Sequence, residues 1–155
     1  MSDNKIIGGS ILEKVMFVGR TGCGKTTLYQ ALHNRPIEYK KTQAIDFFDD
    51  TIDTPGEYME NVRYYRALNV TAADCDVIAL VHDCTNEISI FPPQFSSMFS
   101  KPVIGIITKI DLCNDKEPIK KAEKSLLDAG AKRIFKVSSV NNEGIEELKR
   151  WLKMN

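Results

Sequence analysis

The amino-acid sequence predicts an α/β domain of three layers, with helices covering both faces of a mostly parallel sheet. Three observations carry this. Residues 77–81 and 103–107 are continuous apolar runs with no polar face, as strands buried on both sides require. Short β-rich runs alternate with amphipathic stretches along the chain, the pattern of strands joined by crossover helices. A glycine-rich turn joins the first core strand directly to the first helix.

In chain order, Ile11, Leu12 and residues 15–18 read as one strand interrupted at Glu13 and Lys14. Residues 25–34 read as a helix with Leu28, Ala31 and Leu32 on one face. Residues 44–48 and 51–52 read as a short hairpin turning at Asp49 and Asp50, and 60–69 as a helix. Pro92 and Pro93 are expected to open a helix ending near Ser100. Its run of Phe91, Phe95, Met98 and Phe99 suits core packing, or a docking surface if partly exposed. Pro118 lies in the first turn of a helix that stops at Gly130, residues 134–137 form the last strand, and 142–153 the closing helix.

Composition bounds the function. The 155 residues carry 21 Lys+Arg and 21 Asp+Glu, a net charge of zero, which argues against a protein that binds nucleic acid or anionic membrane by bulk electrostatics. The length suits one domain over 1–155, since domains cluster near ~100–150 residues. No window approaches the ~18 apolar residues of a membrane span, and residues 1–4 are polar, unlike a signal peptide. The four cysteines at 23, 75, 84 and 113 show no C-x-x-C spacing, so neither a zinc site nor a disulfide framework is expected, and reduced thiols in a cytoplasmic protein are.

Gly19-Arg20-Thr21-Gly22-Cys23-Gly24-Lys25-Thr26 fits G-x-x-x-x-G-K-[ST], and the match follows an apolar strand and runs into a helix. Such a loop, with Thr27 after it, turns successive backbone N–H groups toward an anion at a helix N-terminus. Lys25 supplies a point charge to the β- and γ-phosphates, and the Thr26 hydroxyl is placed for Mg²⁺. A neutral chain thus binds a polyanion locally. Three further stations follow. Asp53-Thr54-Pro55-Gly56 ends the second core strand, where Asp53 can reach the Mg²⁺ shell and the Gly56 N–H the γ-phosphate. Thr108-Lys109-Ile110-Asp111 follows the strand 103–107; the Asp111 carboxylate can accept from guanine's ring N–H and amine, a donor pair adenine lacks, with Lys109 along the base plane. Ser138, Ser139 and Val140 end the last strand, where a backbone N–H can meet the guanine carbonyl.

In this order the stations resemble the Ras-like small GTPases of the P-loop NTPases, with GTP or GDP and Mg²⁺ as the implied ligands. Tyr39-Lys40-Lys41-Thr42-Gln43 and Ile52-Asp53-Thr54-Pro55-Gly56-Glu57-Tyr58 are narrower, and with them the chain resembles the EutP/PduV family, associated with ethanolamine and propanediol utilisation and bacterial microcompartments. The resemblance implies that Thr42 is the switch threonine completing the Mg²⁺ shell. It also implies shell or pathway proteins as partners, with the chain cytoplasmic or at a microcompartment.

The departures from the pattern are informative. Eleven positions separate Thr42 from Asp53, so the second and third strands must form a shortened hairpin. Glu57 stands where Ras-like proteins carry a water-positioning Gln; as a candidate catalytic group its carboxylate can act as a base toward water, or it can face solvent or a partner, and the expectation is the second, with slow hydrolysis. Thr108 replaces an Asn that ordinarily ties the base loop to the phosphate loop, weakening the guanine assignment. Cys23 lies beside backbone N–H groups that can lower a thiol's pKa. Three functions stay open: a GTP switch or hydrolase, an ATP-dependent kinase of a small carboxylate such as acetate, and a non-hydrolysing targeting module. Every segment is taken up by the nucleotide fold, leaving no expected room for a kinase lid or acceptor pocket.

Overall fold

Val15–Val18 (β3) is the strand on which the rest is assembled, and its four side chains are fully buried. In the computed structural model, which describes residues 6–7, 10–11, 13–39 and 41–154, β3 has parallel neighbours on both sides. On one side lie Thr51–Asp53 (β5) and, antiparallel at the edge, Asp46–Phe47 (β4); on the other lie Val77–Asp83 (β6), Val103–Thr108 (β7) and Ile134–Lys136 (β8), all parallel. The order is β4-β5-β3-β6-β7-β8. The second and third core strands are indeed short, two and three residues, around the Asp49–Asp50 turn.

Alternation along β3 divides the core. Val15 and Phe17 pack with Ala79, Val81, Ile104 and Ile106 beneath Lys25–Leu32 (α1) and Ile145–Trp151 (α5). Met16 and Val18 pack with Ile78, Leu80 and Ile107 beneath Tyr65–Thr71 (α3) and Lys116–Asp128 (α4). Strand residues one apart face opposite ways, so each core strand feeds both layers, and this is why 77–81 and 103–107 carry no polar face.

Four local expectations are corrected. Ile11 does not join β3; Ser10–Ile11 (β2) pairs antiparallel with Ile6–Ile7 (β1) in a separate two-stranded ladder, while Leu12, Lys40 and residues 1–4 lie outside the described residues. The helix expected over 60–69 is broken: Glu57–Glu60 (α2) stops at Asn61, whose backbone is extended (φ −130°, ψ 118°) and whose Oδ1 accepts from Arg63 N at 3.1 Å. Asparagine satisfies a neighbouring N–H in this way and so competes with helix; a 3₁₀ turn and then α3 follow. The segment after Pro93 forms only a 3₁₀ turn, Phe95–Met98, because Gln94 takes φ +59°. Phe91, Phe95 and Phe99 are all buried and touch in sequence at centroid distances of 5.7 and 5.6 Å, so they belong to the core and form no docking surface.

The fourth correction concerns the cysteines. Cys84 and Cys113 are joined by a disulfide with Cα atoms 6.8 Å apart, whereas Cys23 and Cys75 are free and buried. The parallel pairing of Asp83 with Thr108 sends the two following segments out of the sheet side by side. Sequence spacing cannot show that.

One pair locks the hairpin turn to α1. His33 Nε2 lies 2.9 Å from the Asp50 carboxylate, and Nδ1 lies 2.9 Å from Tyr29 O. The Asp50 hydrogen bond raises the His33 pKa above its ordinary 6.5, against burial and Arg35. Burial would raise Asp50, but the His33 bond and charge outweigh it and hold its pKa below 3.8. The His33 contribution is therefore present below pH 6.5 and lost as pH rises through the raised value; the Asp50 contribution is present above 3.8 and lost below the lowered one. His33→Gln should thus cost more stability at pH 5.5 than at pH 8.5, by about 0.5–1 kcal/mol. Equal losses in urea titrations at the two pH values would refute this.

Candidate nucleotide-binding site

The site lies at the carboxyl ends of the parallel strands, as open α/β sheets place ligands. Residues 19–24 leave β3 and curl before α1 begins, with Cys23 N donating to Arg20 O (3.1 Å) and Leu28 N to Gly24 O (2.8 Å). Gly24 takes φ +101°, a left-handed conformation that costs a side-chain-bearing residue energy, and so lets the loop enter the helix in one step. A cavity of about 350 Å³ opens over this loop, walled by Gly22, Gly24, Thr26, Thr42, Gly56 and Lys109 among others. Lys25 is buried and its Nζ donates to Gly19 O at 2.8 Å and Arg20 O at 3.1 Å, which holds the ammonium inside the curl of the loop.

Thr26, Thr42 and Asp53 converge. Thr26 Oγ1 donates to Asp53 Oδ2 at 2.6 Å, Thr42 Oγ1 lies 3.1 Å from the same oxygen, and the two hydroxyls are 2.7 Å apart. Asp53 is 1% exposed, and its Oδ1 is a buried polar atom without a hydrogen-bond partner among the described residues. Burial raises the Asp53 pKa, against Thr26, Lys25 and Thr42, which lower it. Two hydroxyls and one carboxylate with spare acceptor capacity are hard oxygen donors, the set that suits Mg²⁺ shared with phosphates. Among the described residues no group of three or more Asp, Glu, His or Cys side chains is arranged to hold a metal ion, and at this site Asp53 is the carboxylate that Thr26 and Thr42 share.

Gly56 sits against the phosphate loop so closely that a Cβ there would lie 2.1 Å from Thr21 N. The next residue, Glu57, is exposed at the start of α2. One turn on, Glu60 Oε2 accepts from Thr21 Oγ1 at 2.9 Å, a contact not read from the sequence; the i+3 spacing from Glu57 was its only signal. Arg20 is partly buried, and Thr27 lines the cavity.

On the other side of the loop, the base-side stations meet. Thr108 Oγ1 donates to Cys23 O at 2.6 Å, so the threonine itself ties this segment to the phosphate loop, the link that the missing Asn would ordinarily make. Lys109, at φ +60°, reaches across with Nζ 2.8 Å from Gly22 O and 2.8 Å from Asp83 Oδ2. Asp83 gives little signal in the sequence, because it and His82 simply follow the apolar run 77–81 at the end of β6. Asp111 lies in the 3₁₀ turn Ile110–Leu112, where Ser138 Oγ donates to its Oδ1 at 2.9 Å, and Ile110 N donates to Val137 O at 3.3 Å. Ser139 is partly buried beside it, and Val140 is 61% exposed. Burial raises the Cys23 thiol's pKa in spite of nearby Lys25, the reverse of the activation expected from the loop's N–H groups.

A strand, a phosphate loop and a helix, followed by a strand-end Asp-x-x-Gly and a base-side Asp, define a Ras-like P-loop nucleotide-binding protein. Within that class the chain belongs to the PduV-EutP family (ethanolamine utilisation - propanediol utilisation), whose model matches residues 12–154. It is 41% identical over 137 residues to the propanediol utilization protein PduV of Citrobacter freundii, covering 88% of this chain and 91% of that one. It is 34% identical over 144 residues to the probable acetate kinase EutP of Escherichia coli strain K12, covering 91% and 89%. Among solved structures, bacterial selenocysteine-specific elongation factor EF-Sec shares the fold with a TM-score of 0.60 and 24% identity, over 92% of this chain and 28% of that one. Among the described residues no helix is long and apolar enough to cross a membrane.

Proposed function

We propose that the protein is a Mg²⁺-dependent guanine-nucleotide switch with slow GTP hydrolysis, serving ethanolamine or propanediol utilisation. The observation that carries this reading is the seating of Asp111 by Ser138 while Thr108 and Lys109 fasten the same segment to the phosphate loop. A carboxylate held at that place accepts from two donors that guanine has and adenine lacks, and an unmatched buried polar group costs ~1–3 kcal/mol. Loop N–H groups and Lys25 bind the phosphates; Thr26, Thr42 and Asp53 would hold Mg²⁺, which neutralises charge between the β- and γ-phosphates when bound. Thr42 and Gly56 belong to two separate segments that both reach the cavity, as a switch reporting the γ-phosphate requires. Hydrolysis is slow because Glu57 is exposed to solvent and adds negative charge near a polyanion.

One observation favours a second reading, an ATP-dependent kinase of a small carboxylate. Contrary to the sequence expectation, there is room for an acceptor: a cavity of about 300 Å³ lies between α1 and the hairpin, walled by Thr26, Gln30, Arg35, Asp46, Phe48 and Asp53. Arg35 would be its cation for a carboxylate, and the relative from E. coli carries the description probable acetate kinase. Titration with GTP, GDP and ATP in the presence of Mg²⁺ separates the two. Tight GDP binding, lost by roughly tenfold or more in Asp111→Ala, with no ATP binding is the expected result. ATP preference unchanged in Asp111→Ala, with acetate-dependent ADP release that fails in Arg35→Ala, would replace the switch by the kinase.

A further inference from the structure

The Cys84–Cys113 disulfide has no role in the site described above, yet it encloses that site's base-side turn. Cys84 follows β6 directly, after Asp83, which pairs with Lys109. Cys113 ends the 3₁₀ turn that carries Asp111, and the bond spans a sequence separation of 29. The sheet does not need this staple. β6 and β7 are already paired through Asp83 and Thr108, and Cys84 N donates to Thr108 O at 3.2 Å. A chain with two buried cores on a six-stranded sheet is not one that depends on a cross-link for its fold. What the bond does constrain is the arc from Lys109 to Cys113. Without it, Asp111 is held by the Ser138 hydroxyl and the turn by three backbone bonds of 2.9–3.3 Å. Cys113, the half of the bond nearer the surface, is partly buried, whereas Cys84 is buried and lines a cavity of about 230 Å³ with His82, Asn86, Asp115 and Lys121. The two other cysteines are buried and unpaired, so thiol chemistry is directed to this pair.

We propose that Cys84 and Cys113 form a thiol–disulfide switch that sets guanine affinity through the Asp111 turn, an inference that rests on the guanine reading of the site. The reductant is a dithiol of the protein or small-molecule class. One of its thiolates attacks Cys113 Sγ; the S–S bond breaks and Cys84 leaves as a thiolate that is protonated; the second thiol of the reductant then displaces Cys113. Two electrons and two protons pass to the protein, and the reductant becomes a disulfide. Cys84 Sγ lies 3.2 Å from Lys109 O, so the new S–H has an acceptor at hand and the buried sulfur stays in place. Cys113 is released, and with it the C-terminal end of the turn. Ordering that end again when a base binds costs backbone entropy that the oxidised protein has already lost.

The test measures GDP affinity calorimetrically for the diamide-oxidised and the dithiothreitol-reduced protein, with inorganic tripolyphosphate as a probe of the phosphate loop alone. Reduction is expected to weaken GDP by roughly tenfold, about 1.4 kcal/mol, and to leave tripolyphosphate unchanged. Cys84→Ser/Cys113→Ser should match the reduced protein under both conditions, and Cys75→Ser should respond like the wild type. Equal GDP affinity in the two states overturns the switch while leaving the guanine reading intact, as does an equal shift for tripolyphosphate, which would show a general loosening. Tripolyphosphate binding with no GDP preference in either state overturns the guanine reading and the switch with it.

Discussion

Lys25→Gln should weaken nucleotide binding by roughly 100-fold or more while the protein stays folded. The side chain is buried at the N-terminus of α1, with its ammonium held by the carbonyls of Gly19 and Arg20 at 2.8 and 3.1 Å. In the proposed reading that ammonium turns to the phosphates when nucleotide binds. Two charge-assisted hydrogen bonds of ~1.5–3 kcal/mol each are then lost in the variant, a drop in affinity of roughly 100-fold or more. Glutamine keeps a donor for the loop carbonyls, which Ala would leave bare at a cost of ~1–3 kcal/mol, so the choice of variant separates binding from folding. The readout is GTP and GDP affinity beside the urea midpoint. Binding within threefold of the wild type would mean that the loop's own N–H groups carry the phosphates.

Asp53→Asn is expected to remove the Mg²⁺ dependence of triphosphate binding. Oδ2 already engages both hydroxyls, and Oδ1 is buried with no partner of its own among the described residues. Asparagine preserves the shape and one acceptor but deletes the only carboxylate in the donor set. GTP affinity in Mg²⁺ should fall by roughly tenfold or more, to the value measured in EDTA, while GDP without metal is little changed. Retained Mg²⁺ dependence would place the ion elsewhere. A fall without metal as well would show that Asp53 acts by holding Thr26 and Thr42 together.

Some of this was legible in the chain because it is local. The phosphate loop needs adjacent residues of fixed type, Gly24 for its left-handed turn and Lys25 directly after it. Strands β6 and β7 announce themselves because burial on both faces leaves residues 77–81 and 103–107 without a polar side chain. Where local preference is divided, the reading fails. Asn61 suits a helix interior less well than a cap, and it split one expected helix in two. Gln94 in a left-handed conformation reduced another to a single turn. The substitution at Thr108 could not be judged from the pattern alone, because what matters there is whether an oxygen reaches Cys23 O, 85 positions away in sequence, and a threonine at the end of β7 does.

Residue types along the chain suffice for a parallel sheet, a phosphate loop after its first core strand and a short hairpin, since each follows from side-chain polarity or backbone freedom within a few residues. The tertiary structure decided which groups meet: the two hydroxyls on Asp53, Ser138 on Asp111, Glu60 on Thr21 and Cys84 on Cys113. Those encounters depend on strand order and register. Parallel pairing brings the ends of distant strands to one edge of the sheet, and no spacing along the chain encodes which ends they will be.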